Sequence, residues 1–398
     1  MIRPFLRRLK TAARSACAAA TITVLALGMA SGLPVAQAQP LFDSAAPNIL
    51  VIDHNTGQIL LERNADVPLP PASMSKLMTL LMLFEAVEDG RVTMETTWTV
   101  SERARAMGGS RMFLETRHRP TTEDLIRGIA VLSGNDASVV VAEGLAGSEE
   151  AFARIATARA RQLGMTNTNL TNASGWPDAD HQMSLRDLAI LATHLIEEHP
   201  RFYSYLAEPN FTWNNISQDN RVPHLGTALG LDGLKTGFTQ ATGRALVGSA
   251  RQGDRRVVFV FSGMPSDQAR ADEAERIINW AFRQFAQRDV AREGQVLAEA
   301  EVWMGAERRV PLVAPRDLPV LVPALGDGAI AARVEYDGPV PAPIVAGQEL
   351  ARLVIAMPND QTVIFPLVAG ADVAQGGFMP RMRSAVGVLG GHLGLEGP

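Results

Sequence analysis

The alternation of apolar and polar positions divides the chain near residue 286. From Asn48 onward, helix-period and strand-period patterns are mixed. Asn48–Asp53 and Gln58–Glu62 are short apolar runs joined through Asn55-Thr56-Gly57, which predicts a β-hairpin. Ser73 to Val87 places Leu77, Leu80, Leu81 and Phe84 at helical spacing. Further helices are predicted over Thr121–Leu132, Ser138–Leu145 and Ser148–Leu163, the last stopped by Gly164, and over Ser184–Glu197, with Ser184 as its cap. Ala245–Ala250 and Val257–Ser262 read as paired strands, and Asp267–Phe285 as an amphipathic helix. Beyond residue 286 the pattern changes. Short valine-rich runs around Val302, Val310–Val313, Val320–Val322, Leu353–Ile355 and Val363–Phe365 alternate with proline and glycine, as in a small all-β domain.

The first 38 residues stand apart. Arg3, Arg7, Arg8, Lys10 and Arg14 precede an apolar, alanine-rich run through Ile22, Val24, Leu25, Leu27 and Met29. Pro34 and the small-residue site Ala36-Gln37-Ala38 follow, the order of a secretory signal peptide. The single cysteine, Cys17, lies within this segment, so the mature chain is expected to use neither thiol catalysis nor thiolate metal sites. At 398 residues and 46% hydrophobic, the chain is long enough for two domains. Without the basic leader the body holds 32 basic and 42 acidic residues, a balance that argues against a nucleic-acid partner.

Three short motifs carry candidate chemistry: Ser73-Met74-Ser75-Lys76, Ser133-Gly134-Asn135 and Lys235-Thr236-Gly237. A serine hydroxyl needs a base beside it to act as a nucleophile. Residues i and i+3 share a helix face, so Lys76 can reach Ser73. A lysine serves as base once burial and a second cation lower its pKa, and Lys235 can be that cation. Ser133 can relay a proton to the leaving amine, Asn135 can hold the substrate backbone, and Lys235 with Thr236 can bind a carboxylate. Each motif alone is common. Their order, with 60 and 102 residues between first positions, makes the set informative. The lysine count adds to it: beyond the leader the chain has two lysines, Lys76 and Lys235, and 30 arginines. Arginine cannot give up its proton, and two lysines placed at random among 32 basic positions would land in both motifs about once in 500.

With these motifs, and with Leu69-Pro70-Pro71-Ala72, Gly109–Leu114, Asn220-Arg221 and Asp232–Thr239, the chain resembles the low-molecular-mass penicillin-binding proteins, the serine-type D-alanyl-D-alanine carboxypeptidases. The resemblance continues through Ala342-Pro343, Gly347-Gln348 and Gly376-Gly377-Phe378. It implies an α/β (α+β) catalytic domain of the serine transpeptidase and β-lactamase kind over residues 39–286, followed by an all-β domain over 287–375. It implies Ser73 as acylated nucleophile, Lys76 as general base and Ser133 as the third catalytic group. Asn135, Lys235, Thr236, Gly237 and Arg221 would bind substrate, and backbone N–H groups, one from Ser73, would form the oxyanion hole. The implied reaction removes the terminal D-alanine of peptidoglycan stem peptides in the periplasm, with β-lactams as inhibitors acting at the same serine. Residues 376–398, where Phe378, Met382, Ala385, Leu389 and Leu393 share a helical face beside Arg381 and Arg383, imply contact with the inner-membrane surface.

Three features depart from the family pattern: Ser174-Gly175-Trp176 replaces a His-Gly-Leu phrase, and Arg111 and Arg244 stand where smaller or neutral residues are frequent. A β-lactamase would need a glutamate for deacylation between the second and third motifs, and no Glu-x-x-Leu-Asn phrase occurs there. A D,D-endopeptidase on cross-links shares the same site requirements. A non-catalytic wall-binding protein has no need of both lysines. No Gly-x-Ser-x-Gly or His-Glu-x-x-His phrase occurs, so no Ser-His-Asp hydrolase, metal or cofactor is expected. Histidines such as His194 read as structural.

Overall fold

The computed structural model describes residues 22–23, 42–324, 330–357 and 362–377. The expected leader, apart from Ile22–Thr23, and the tail from Phe378 onward lie outside the described residues. The chain forms two compact units, Ala38–Phe285 and a second made of Met1–Gln37 with Ala286–Pro398.

The first unit begins with strands β1 (Asn48–Asp53) and β2 (Ile59–Arg63), followed by a 3-10 turn at Ala72–Ser75. The helices α1 (Lys76–Glu88), α2 (Glu102–Ala106), α3 (Thr122–Ala130), α4 (Asn135–Ala146), α5 (Glu149–Gln162), α6 (Leu185–Glu198) and α7 (Pro200–Tyr203) come next. A small hairpin, β3 (Asn210–Trp213) and β4 (Ile216–Asp219), precedes β5 (Leu231–Thr239), β6 (Gly243–Gln252), β7 (Arg255–Met264) and α8 (Asp267–Arg283). Five strands form one antiparallel sheet in the order β2-β1-β7-β6-β5, which leaves β5 at an edge.

Continuous burial along β6 and β7 shows that both sheet faces are covered. Val247, Val258 and Val260 join the helical core with Leu77, Leu80, Leu81 and Phe84 of α1. Strand alternation turns Phe259 and Phe261 to the other face. There α8, which packs on β6 and β7, buries Ile277 and Ile278. Local signals set the helix ends. Ser101, Ser148, Ser184 and Ser266 cap α2, α5, α6 and α8, each accepting a backbone N–H from the first turn. Thr121 and Asp124 form a reciprocal capping box on α3.

Three predicted boundaries shift. The Ser73–Val87 helix opens as a 3-10 turn, because Ala72 adopts φ 50° and the chain enters α1 through a tight bend. Helix α4 begins at Asn135 rather than Ser138, its polar first residues being buried in the site instead of facing water. Helix α8 stops at Arg283, and Phe285 already starts a strand.

The second unit is all β, as predicted. Its strands are β8 (Phe285–Ala291), β9 (Val296–Trp303), β10 (Arg309–Val313), β11 (Leu318–Pro323), β12 (Ala331–Tyr336), β13 (Val340–Pro341), β14 (Glu349–Ala356) and β15 (Thr362–Ala369). One sheet runs β12-β14-β15-β10-β9-β13, with Ile22–Thr23 paired outside β12, and β11 pairs with β8. Leu312, Val320, Ile355 and Leu367 lie in its core.

Candidate active site

The 3-10 turn places Ser73 at the mouth of a cavity of about 630 Å³ in the first unit, lined also by Ser133, Asn135, Arg221, Thr236 and Gly237. Nζ of Lys76, at the first residue of α1, lies 2.9 Å from Oγ of Ser73 and 2.7 Å from Oδ1 of Asn135. It also donates to the carbonyl oxygen of Ser174. Lys76 is completely buried. Burial holds its pKa well below the ordinary lysine value, and the positive charges of Lys235 and Arg221 push the same way against Asp136 and Glu149.

The edge strand β5 supplies Lys235, Thr236 and Gly237 and packs against the 3-10 turn. A Cβ on Gly237 would meet the Pro71 carbonyl oxygen at 2.9 Å and Met74 Cγ at 3.0 Å, so glycine permits the close approach. Lys235 is buried, and desolvation, with Arg221 and Arg270 adding to it, lowers its pKa to about 7. Arg221 donates to Oγ of Ser110, and its carbonyl accepts from Arg270 at 3.1 Å.

The second wall comes from the entry to α4. Ser133 has φ 59° and is buried. Asn135 donates from Nδ2 to the Gly108 carbonyl at 2.8 Å, which turns its Oδ1 toward Lys76. Asp136 fixes the facing loop, accepting the backbone N–H groups of Met112 at 2.9 Å and Leu114 at 3.0 Å. All eight residues singled out in the sequence therefore gather around one cavity or directly behind it.

Other residues of the site are not visible as motifs. Oδ1 of Asn172 accepts the N–H groups of Ser174, Gly175 and Trp176 at 3.1, 2.8 and 3.0 Å, which folds the loop so that the Ser174 carbonyl meets Lys76. Trp176 is 45% exposed and lines the cavity. His181 places Nε2 3.0 Å from Oγ of Ser75, whose hydroxyl donates to the Ala72 carbonyl at 2.9 Å. Burial lowers the His181 pKa to about 4, so the ring is neutral. The two unexplained arginines have places as well. Arg111 lies 5.1 Å over the Phe113 ring. Arg244 lies 4.0 Å over Phe238 and pairs with Asp267 at 3.5 Å, at the rim of the cavity. Asp267, the carboxylate among the cavity-lining residues, is also bound by Arg270 at 2.8 Å.

A half-buried serine beside a fully buried lysine, a second lysine on an edge strand and an Asn-containing opposite wall have the arrangement of a serine acyl-transfer site. The family model for D-alanyl-D-alanine carboxypeptidases matches residues 34–266, and that for the C-terminal domain of penicillin-binding protein 5 matches residues 285–375. The chain is 32% identical over 343 residues to the D-alanyl-D-alanine carboxypeptidase DacA of Haemophilus influenzae, covering 85% of this chain and 87% of that one. It is 30% identical to DacF of Bacillus subtilis, covering 86% and 89%. Among solved structures, penicillin-binding protein 5 from Haemophilus influenzae superposes with a TM-score of 0.73 at 31% identity, covering 83% of this chain and 98% of that one. Ampicillin-bound penicillin-binding protein D2 from Listeria monocytogenes superposes with a TM-score of 0.56 at 28% identity, covering 61% and 100%. The chain belongs to the serine-type D-alanyl-D-alanine carboxypeptidase family of low-molecular-mass penicillin-binding proteins.

Proposed function

We propose that this hydrolase removes the terminal D-alanine from peptidoglycan pentapeptides through an acyl-enzyme on Ser73. The observation that carries the reading is the buried Lys76 amine 2.9 Å from the Ser73 hydroxyl, with its pKa held low. Neutral Nζ takes the Ser73 proton as Oγ attacks the carbonyl carbon of the penultimate D-alanine. Backbone N–H groups, one from Ser73, stabilise the oxyanion. Ser133 passes a proton to the departing D-alanine amine, and water then hydrolyses the ester. Lys235, Thr236 and Arg221 hold the terminal carboxylate, Gly237 lets β5 approach, and Asn135 holds the peptide backbone and Lys76 together. A β-lactam presents the same carbonyl and carboxylate and acylates the same serine.

The sole carboxylate among the residues lining the cavity, Asp267, is tied to Arg244 and Arg270. It is poorly placed to activate water quickly, which favours a carboxypeptidase over a β-lactamase. Residues 1–38 would direct the chain to the periplasm, where trimming stem peptides acts on wall maturation and cell shape. The tail over residues 376–398 would rest on the inner-membrane surface. The test is fluorescent-penicillin labelling of the mature protein and its Ser73→Ala form, with D-alanine release from a pentapeptide followed in parallel. Stable, Ser73-dependent labelling with D-alanine release is expected. Rapid loss of label with consumption of penicillin would make the protein a β-lactamase, and neither labelling nor release would make it a binding protein.

A further inference from the structure

Helix α1 carries the base of the acylation site at its first residue. Its last turns carry a second cluster. Glu85 of α1, His194 of α6 and His199 after α6 each bring one donor atom within 4.8 Å of the others. The ligand spacing gives no signal in the sequence, because Glu85 lies more than a hundred residues from the two histidines. The packing of α6 and α7 against α1 creates it.

Each histidine has one ring nitrogen outside the hydrogen-bond network. Nε2 of His194 and Nδ1 of His199 are buried without a hydrogen-bond partner. The His199 side chain is only 5% exposed, and its Nδ1 lies 3.0 Å from Oε2 of Glu88 without hydrogen-bonding geometry. The two imidazoles meet edge to face with centroids 5.4 Å apart. Arg159 binds Oε1 of Glu85 at 2.8 Å and orients that carboxylate. A cavity of about 420 Å³ opens on the group, and Glu88, Asp89 and Glu198 join Glu85 along its wall against the single guanidinium of Arg159. The surroundings are therefore net negative.

We propose that Glu85, His194 and His199 bind a divalent transition-metal ion, with zinc as the best-matched metal, at the end of α1 away from Ser73. Two imidazoles and a carboxylate form a common three-ligand zinc set, whereas calcium and magnesium prefer all-oxygen sites. Donor atoms on one tetrahedral zinc stand about 3.3 Å apart, from bond lengths of about 2.0–2.1 Å. Small rotations of Glu85 and the partly exposed His194 close the present spread. Glu88 is near enough to His199 to add a fourth donor. The ion would clip α1 to the junction of α6 and α7, a structural role separate from acylation.

The test titrates the chelator-treated full chain with zinc, measuring stoichiometry, affinity and Tm, with cobalt as a spectroscopic substitute. His194→Gln, Glu85→Gln and His199→Gln are compared with wild type, with penicillin labelling as the check that each variant is folded. One zinc per chain is expected, with a Tm rise that EDTA reverses and visible tetrahedral bands for cobalt. His194→Gln, a change at a partly exposed side chain, is expected to weaken zinc by more than the roughly 10–100-fold that an outer hydrogen-bonding partner is worth, with labelling unchanged. A wild-type chain that binds no zinc overturns the proposal. So does equal zinc affinity and equal Tm response in wild type and His194→Gln, which would put any bound ion elsewhere.

Discussion

Gly175 packs against the carbonyl of Ala72, so closely that a Cβ at residue 175 would lie 1.9 Å from that oxygen. Gly175 also has φ +74°, a conformation that costs other residues energy. The loop beside Ser73, the proposed nucleophile, and the 3-10 turn that carries it are thus fitted to one another. Gly175→Ala is expected to push Ala72 and Ser73 out of place. Penicillin acylation should fall by at least about tenfold, and stability should drop by about 1–3 kcal/mol. Labelling kinetics and thermal melts check both. Wild-type acylation in this variant would show that the contact does not position Ser73.

Ser73→Ala is expected to abolish labelling and D-alanine release, since no other hydroxyl has Lys76 at 2.9 Å in the described structure. Lys76→Arg should cost roughly 10²–10⁴-fold, the usual worth of a general base, because arginine keeps its proton. Far-UV CD and acylation rates separate lost chemistry from lost folding. An active Lys76→Arg enzyme would remove Lys76 from the role of base.

The sequence makes the candidate site legible where a residue type recurs at fixed spacing. Ser73 and Lys76 are three apart on one turn, and Lys235-Thr236-Gly237 reads as the start of a strand, although the strand already begins at Leu231 and holds the motif in its middle. The retention of lysine at those positions in an arginine-rich chain pointed the same way. The hairpin of β1 and β2, the strands β6 and β7 and the all-β second unit were legible from periodicity. What stayed hidden acts through backbone or long-range packing. The Ser174 carbonyl has no side-chain signature. Asn172 and Asp136 work by collecting backbone N–H groups from nearby loops. The sequence pattern places the start of α4 three residues too late, because Asn135 and Asp136 look like a solvated turn until the fold buries them. Glu85, His194 and His199 converge only in three dimensions.

The pH profile of peptide cleavage should have two limbs set by the two lysines. Loss of the Lys76 proton creates the base, so turnover rises with pH on the acid side. Lys235 loses its charge as pH passes about 7, which weakens its attraction for the substrate carboxylate. KM is therefore expected to climb above that pH while Arg221 retains its charge. Lys235→Arg keeps a cation at every accessible pH and should move the alkaline limb upward. Steady-state kinetics on a pentapeptide between pH 5 and 10 provide the comparison, and coincident alkaline limbs would exclude Lys235 as their origin.

His181 should give the fold an acid-sensitive component. Its neutral ring accepts the Thr171 N–H at Nδ1, 3.1 Å away, and meets Ser75 Oγ through Nε2. Protonation would set an Nδ1–H against the Thr171 N–H. Burial is the main cause of its pKa of about 4, with Asp178 opposing and Lys76 adding to the shift. In the unfolded chain the ring titrates at the ordinary value of 6.5. Between these values the unfolded state binds the proton and the native state does not, so stability falls as pH drops from about 6.5 to about 4. The loss amounts to on the order of 3 kcal/mol by pH 4, and above pH 6.5 the effect vanishes. His181→Gln removes this titration. Its urea-unfolding free energy should be lower than wild type at pH 7 but decline less steeply toward pH 4. Parallel pH dependences for the two proteins would show that His181 is not neutral in the native state for the reason given.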